Sequence, residues 1–116
     1  VAAGQVIDDL VDFSDFLPTL SEITGAALPE RISLNGHSFA SSILGSGRSS
    51  RDWAYAEGRS SQQYVRTRQH KLYSNGRFYD MNADPEEEHP LDDVSGDVAA
   101  IRITLEAALQ ELPTPK

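Results

Sequence analysis

The chain contains no cysteine in its 116 residues. That excludes a disulfide framework, a thiolate metal centre and a cysteine nucleophile, and it leaves the redox compartment unspecified. Positive charge is scarce: ten Lys and Arg stand against eighteen Asp and Glu, for a net charge of −8. A phosphate-binding surface, and with it nucleic acid as a partner, is therefore not expected. No apolar run approaches the roughly 20 residues that span a bilayer. The first residues also lack a charged stretch followed by an apolar one, so the sequence as written reads as soluble, without a membrane partner and without a stated compartment. Paired histidines are missing too. His37, His70 and His89 are scattered with no i, i+4 spacing, which gives a three-histidine metal site no local support. There is no internal repeat and no low-complexity tract, and the length suits one small domain with a modest core.

What is present divides the chain in three. Gln5 to Val11 is short and mixed and reads as a strand. Ser14 then stands as the N-cap of a helix from about Asp15 to Thr24, with Phe16, Leu17, Leu20 and Ile23 on one face, Pro18 in the first turn and Gly25 as the stop. From Ala26 to Ser50 the residues Pro29, Asn35-Gly36, Gly45 and Gly47 describe an irregular connection with one helical turn at Phe39 to Leu44. The last part is β-rich and then helical. Trp53 to Glu57 and Gln63 to Arg68 are strand-like, and His70 to Tyr73 and Arg77 to Asp80 flank Asn75-Gly76, a hairpin signal that would place both turn residues at positive φ. Val98, Ile101, Leu105, Ala108, Leu109 and Leu112 recur at helical spacing from Gly96 or Asp97 up to Pro113, beyond which Pro113 to Lys116 should fray. The expected fold class is α+β: a small antiparallel sheet of three to four strands packed on a C-terminal helix.

Several residue groups invite a chemical reading. Asp80, Asn82 and Asp84 match the first three ligand positions of a calcium loop, but Pro85 and Leu91 occupy the places of its turn glycine and bidentate glutamate. A turn begun by Asp84-Pro85, with Glu86 to Glu88 at the start of a short helical turn, suits the segment better. Arg66, Arg68 and His70 would share a strand face with Tyr64, leaving Val65, Thr67, Gln69 and Lys71 on the other. That row could hold a sulfate or a sugar; its plainer reading is a solvated face with weak surface ion pairs.

Tyr79-Asp80-Met81-Asn82-Ala83-Asp84-Pro85-Glu86-Glu87-Glu88, preceded by Val65-Arg66-Thr67-Arg68-Gln69-His70-Lys71-Leu72, resembles the C-terminal signature of the arylsulfatase-type sulfatases. Gly4-Gln5-Val6-Ile7-Asp8-Asp9-Leu10-Val11 and Asp15-Phe16-Leu17-Pro18-Thr19-Leu20 are similar to the "PG-x-V-x-D-x-L-V-x-x-x-D-x-x-P-T-L" run that follows the catalytic core of that family. The resemblance covers Gly4 to Leu112, and the order and spacing of its motifs carry it. It implies residues 1–25 as the end of a catalytic α/β domain, to which the N-terminal helix would belong, 26–52 as a linker and 53–116 as a C-terminal α+β subdomain.

The family hydrolyses sulfate esters with a formylglycine and a divalent cation, usually calcium. Neither has a matching segment here. Asp8-Asp9 lies in the post-catalytic run, and Ala27-Leu28-Pro29-Glu30-Arg31 copies the spacing of the Cys/Ser-x-Pro-x-Arg nucleophile motif with an alanine at the nucleophile. The resemblance thus implies a chain inactive alone, with no cofactor of its own, whose partners are an upstream catalytic domain and, through it, a sulfate-ester substrate. Members are commonly exported, and a signal would precede Val1. Asn35-Gly36-His37-Ser38-Phe39 is similar to a "D-G-x-S-F/L" loop near the family's substrate entrance, which makes His37 a substrate-rim candidate. Arg66 and Arg68 become candidates for an interdomain contact. Without its upstream domain, the Phe13 to Ile23 face would either drive self-association or leave a loosely anchored N-terminal third. The alternative is a free-standing anion-binding or protein-interaction module that has borrowed the fold, with Arg66 and Arg68 holding the anion; kinship to phosphatases or phosphodiesterases of the same superfamily is a third reading.

Overall fold

The computed structural model of the chain describes residues 3–28, 31, 33–58 and 62–112. The expected fraying of Pro113 to Lys116, and Pro29 and Glu30 of the nucleophile-like segment, lie outside these. The chain divides into two compact units, Val1–Asp52 and Trp53–Lys116.

In the first unit a 3₁₀ turn, Phe13–Asp15, runs directly into helix α1, Phe16–Thr24. The cap is Asp12, not Ser14. Asp12 Oδ1 accepts the Ser14 N–H at 2.9 Å, and Asp15 Oδ2 reaches back to accept the Asp12 N–H at 2.8 Å, a reciprocal capping box; the turn begins at Phe13, so Ser14 lies inside it and past the capping position. Gly25 ends α1 in the left-handed region at φ 71°, as expected of a C-terminal glycine. A second short helix, α2, spans Ala40–Leu44, the turn anticipated at Phe39 to Leu44. Gln5 to Val11 forms no strand. No described segment pairs with it, and it is held instead through the Asp9 side chain.

The second unit is the α+β body that the sequence suggested. Strands β1 (Ala54–Glu57), β2 (Gln63–Arg66), β3 (His70–Tyr73) and β4 (Phe78–Asp80) form an antiparallel meander in chain order. Helix α3, Gly96–Glu111, packs across β2 and β3. Val65, Leu72, Phe78, Leu105 and Ala108 are the buried centre, with Trp53, Tyr55, Leu91, Val98, Ile101 and Leu112 against it. The helical stripe read from the sequence is the one that covers the sheet. The outer edge of β4 is taken up by the chain that follows it, where the Leu91 N–H donates to Phe78 O at 2.7 Å.

Two local expectations change. Tyr73, Asn75 and Gly76 do form a hairpin turn, but only Gly76 has positive φ, at 87°. The Gly76 N–H closes on Tyr73 O at 2.9 Å and the Tyr73 N–H on Arg77 O at 2.9 Å. This is a three-residue loop that ends in a left-handed glycine, rather than a two-residue turn with both centres left-handed. The expected strand Gln63 to Arg68 stops at Arg66. Thr67 and His70 close a second hairpin, with the Thr67 N–H on His70 O at 2.8 Å, and the register that results pairs Val65 with Leu72 and Arg66 with Lys71. The turn interrupts the alternation, so His70 joins Val65 and Leu72 on the core face and Lys71 joins Arg66 and Tyr64 on the outer face. His70 is 3% exposed and stacks on Phe78 at 5.3 Å between ring centroids.

Leu105 is fully buried and central to the cluster. Leu105→Ala is expected to cost the second unit about 2–5 kcal/mol, which a urea titration followed by the signal of the neighbouring Trp53 would measure; a loss under about 0.5 kcal/mol would mean that α3 does not seal the sheet.

Candidate functional site

The polar chemistry of the first unit converges on two carboxylates. Asp15 is fully buried at the start of α1. Its oxygens accept the Asp12 N–H, the His37 N–H at 2.7 Å, the Arg51 Nε–H at 2.7 Å and the Arg51 Nη2–H. Burial pushes the Asp15 carboxyl up, but the Arg51 guanidinium and the Asp12 and His37 amides outweigh it and hold the group below the usual carboxylate value. Thr19, one turn on and also buried, donates to Asp15 O at 2.6 Å and accepts the Phe39 N–H at 3.0 Å. The Asp15 and Thr19 side chains therefore fix both ends of the His37 to Phe39 stretch against α1. Gly36 lets the loop come that close, since a Cβ there would stand 2.0 Å from Ser14 O.

Asp9 is the second hub. It accepts Ser42 Oγ–H at 2.6 Å, the Ser49 N–H at 2.9 Å and Arg48 Nε–H at 3.1 Å. The Ser42 hydroxyl, the Ser49 amide and Arg48 hold its carboxyl down to about 2. Beside it an open cleft of about 270 Å3 is lined by Gln5 to Asp9, Ser42, Gly45, Gly47 and Arg48.

In the second unit the outer face of the sheet carries a cation between aromatic rings. Lys71 Nζ lies 4.1 Å from the Tyr64 ring centroid and 4.7 Å from that of Tyr73. It donates to Glu87 Oε1 at 2.5 Å, while the Tyr73 hydroxyl donates to Glu87 Oε2 at 2.6 Å. Burial would push Lys71 down and Glu87 up. Their mutual contact and the Tyr73 hydroxyl reverse both, so that Lys71 is raised, Glu87 is lowered and the pair stays ionised. Glu87 is the one non-glycine residue at positive φ among those described, at 59°. The expected short helical turn at Glu86 to Glu88 is instead a single turn closed by the Glu87 N–H on Asp84 O at 3.2 Å, because the chain reverses at Glu87 to bring its carboxylate onto Lys71. Asp80 and Asp84 turn their oxygens to backbone amides: Asp80 to Asn82 and Ala83, Asp84 to Glu88 and His89. They act as turn formers.

The sequence-chosen residues are placed as follows. His37 is exposed in the first unit, its backbone gripped by Asp15. Arg66 is half-buried in the second unit and donates to Thr67 O at 3.2 Å and Arg68 O at 3.3 Å, bracing its own hairpin. Arg68 is exposed at the tip of that turn. Arg66 and Arg68 are thus joined by one turn, with the Arg66 guanidinium on carbonyls. Among the described residues, no three His, Asp or Glu are grouped so as to hold a metal ion. The hubs at Asp15, Asp9 and Glu87 escaped the sequence reading because their partners lie 36, 39 and 16 positions away, respectively. The usable signal was an acid at the head of an apolar helix with a distant arginine to spare.

Removing one partner of a buried pair leaves the other uncompensated, so Asp15→Asn is expected to destabilise the first unit by about 3–5 kcal/mol, read as loss of amide protection over residues 13–24. Acid should act through the same groups. A carboxyl whose pKa is lower folded than unfolded contributes stability above its ordinary value and loses it as pH falls toward the folded value. For Asp9 that window runs from 3.8 down to about 2. Asp9→Asn should flatten the acid transition of residues 9–51 within it; an unchanged transition would exclude Asp9 as its origin.

No family model matches the chain, and no curated protein does. Solved structures do. A protein assigned as a sulfatase from Bacteroides thetaiotaomicron is 27% identical, with a TM-score of 0.61 over 84% of this chain and 23% of that one. A second Bacteroides thetaiotaomicron sulfatase, described with a core genetic locus for the metabolism of multiple glycosaminoglycans, gives a TM-score of 0.64 at 17% identity over 83% of this chain and 23% of that one. At that identity the second likeness shows the fold alone. The chain spans under a quarter of the length of either relative, and its α+β fold is that of a stretch of these sulfatases.

Proposed function

We propose that the chain is the C-terminal part of a sulfatase, a hydrolase of sulfate esters whose formylglycine and divalent cation, expected to be calcium, lie in the portion that precedes it. The observation that carries this reading is the 27% identical likeness, which covers 84% of this chain but only 23% of the relative. The order of the motifs from Gly4 to Glu88 supports it. In this reading the chain contributes structure rather than chemistry. His37, held out on a loop by the buried Asp15, would stand at the substrate rim, and Arg66 and Arg68, on their braced hairpin, would meet the catalytic domain. Helix α1 would complete that domain. Its apolar face supports this role, since Phe13, Phe16, Leu17, Leu20 and Ile23 are 89, 47, 50, 56 and 43% exposed. Fully burying such a side chain is worth about 1.5–3 kcal/mol, of which a half-exposed one forgoes part, and a face of this kind seeks a partner.

Three measurements test the proposal. The purified 116-residue chain should not turn over a chromogenic aryl sulfate, and the reading frame upstream of Val1 should encode a Cys/Ser-x-Pro-x-Arg motif. Turnover by the chain alone, or an upstream frame without that motif, would overturn it. Sedimentation velocity should show the isolated chain associating through α1, with Leu17→Asp and Leu20→Asp together returning it to monomer. A monomeric parent chain with strongly protected amides over residues 13–23 would show that this face is satisfied within the chain.

A further inference from the structure

The chain has three asparagines, and two of them precede glycine: Asn35-Gly36 in the loop that carries His37, and Asn75-Gly76 in the β3–β4 hairpin. An asparagine followed by glycine is the step most open to intramolecular attack on its own side chain, because the next residue has no Cβ to crowd the ring that forms. Asn82 precedes Ala83 and lacks that opening. The two Asn-Gly steps share their reacting groups but differ in how the fold engages them.

At Asn75 both reacting groups are occupied. The Gly76 N–H, which must lose its proton to become the nucleophile, donates to Tyr73 O at 2.9 Å. The Asn75 Oδ1, on the carbonyl to be attacked, accepts the Arg77 N–H at 3.1 Å. At Asn35 neither group has a hydrogen-bond partner among the described residues, and the Asn35 side chain is exposed. The clamps on that loop begin later, at the His37 N–H on Asp15 and the Phe39 N–H on Thr19.

We propose that Asn35 is a site of spontaneous deamidation in the folded chain, and that the hairpin protects Asn75. The Gly36 N–H loses its proton to hydroxide, its nitrogen bonds to Cγ of Asn35, and the Cγ–Nδ2 bond breaks as Nδ2 takes up a proton from water. Nδ2 leaves as ammonia, and a five-membered succinimide remains. Water then opens either carbonyl of the ring, which gives aspartate, or isoaspartate when the main chain comes to run through the former side chain. No oxidant, metal or enzyme is required. Both products add a negative charge, and isoaspartate also lengthens the backbone next to Gly36. The loop cannot absorb that length freely, because Gly36 lies against Ser14 O and the His37 amide is held by Asp15. Modification at residue 35 therefore shifts His37 relative to α1.

The test compares the native chain with the same chain in denaturant, where only local sequence sets the rates. Both are aged in mildly alkaline buffer, digested, and scored for the amide-to-acid mass change and for methyl labelling by an isoaspartyl methyltransferase. Opening two hydrogen bonds slows a step by about tenfold or more, so folding should suppress conversion at Asn75 by that factor beyond any suppression at Asn35. Suppression at Asn35 equal to or greater than that at Asn75 would overturn the proposal. Asn35→Gln, whose ring would need one more atom, should remove most of the isoaspartate of the native chain and leave the slower signal of Asn75; a total that does not fall would overturn the proposal equally.

Discussion

The buried carboxylate of Asp15 is the point on which the first half of the molecule depends. One side chain closes the capping box of the 3₁₀ turn, neutralises Arg51 and anchors the His37 amide. The unit has little apolar surface to bury: most of the α1 apolar residues are exposed, and Ala40 is its only buried hydrophobic among the described residues. Converging donors on a charged acceptor take the place of a core, since charge-assisted hydrogen bonds are about twice as strong as neutral ones. Asp9 repeats the device for the Ser42 to Ser49 segment.

The second unit has a true core, yet it uses a related device on its open face. Glu87 adopts a left-handed conformation that costs of order 1–3 kcal/mol for a non-glycine residue. What offsets that cost is the contact of its carboxylate with Lys71 and Tyr73, which fastens the Met81 to Leu91 segment over the sheet. Lys71 in turn sits between two tyrosine rings, with Arg77 over the Tyr73 ring as well, so the ion pair with Glu87 lies at the centre of the aromatic and cationic groups of the outer face. Arg66 lies on the same face with its guanidinium on the Thr67 and Arg68 carbonyls, and Arg68 stands exposed at the turn.

The parts legible in the sequence were those governed by local period and turn chemistry. The stripe from Val98 to Leu112 gave α3, Gly25 gave the end of α1, and the alternation around Asn75-Gly76 gave the β3–β4 hairpin. The failures have a common physical origin. Gln5 to Val11 is extended enough to pass for a strand, but a strand needs a partner, and a single sequence does not show that none is available. Arg68 and Gln69 do not announce a turn as glycine or asparagine would, so the alternation of Gln63 to Arg68 was carried through it and put His70 and Lys71 on the wrong faces. The hubs at Asp9, Asp15 and Glu87 depend on contacts across many residues, and spacing along the chain carries no trace of them. Of the residues chosen for function, His37, Arg66 and Arg68 were singled out through the resemblance, whereas the Asp15 carboxylate that holds the His37 amide lies 22 positions away from it.

The hydrogen bond from Leu91 to the outer edge of β4 has a consequence for how such a small sheet stays apart from its copies. A meander has two lateral edges, each a row of unpaired amides and carbonyls that can template another chain. At β4 the chain's own continuation occupies that row. At β1, whose outer edge pairs with no strand among the described residues, the row is only four residues long and ends in Glu57, so any strand added there would gain few bonds and meet a negative charge on a chain that already carries −8. Edge-to-edge polymerisation is therefore restrained from both sides.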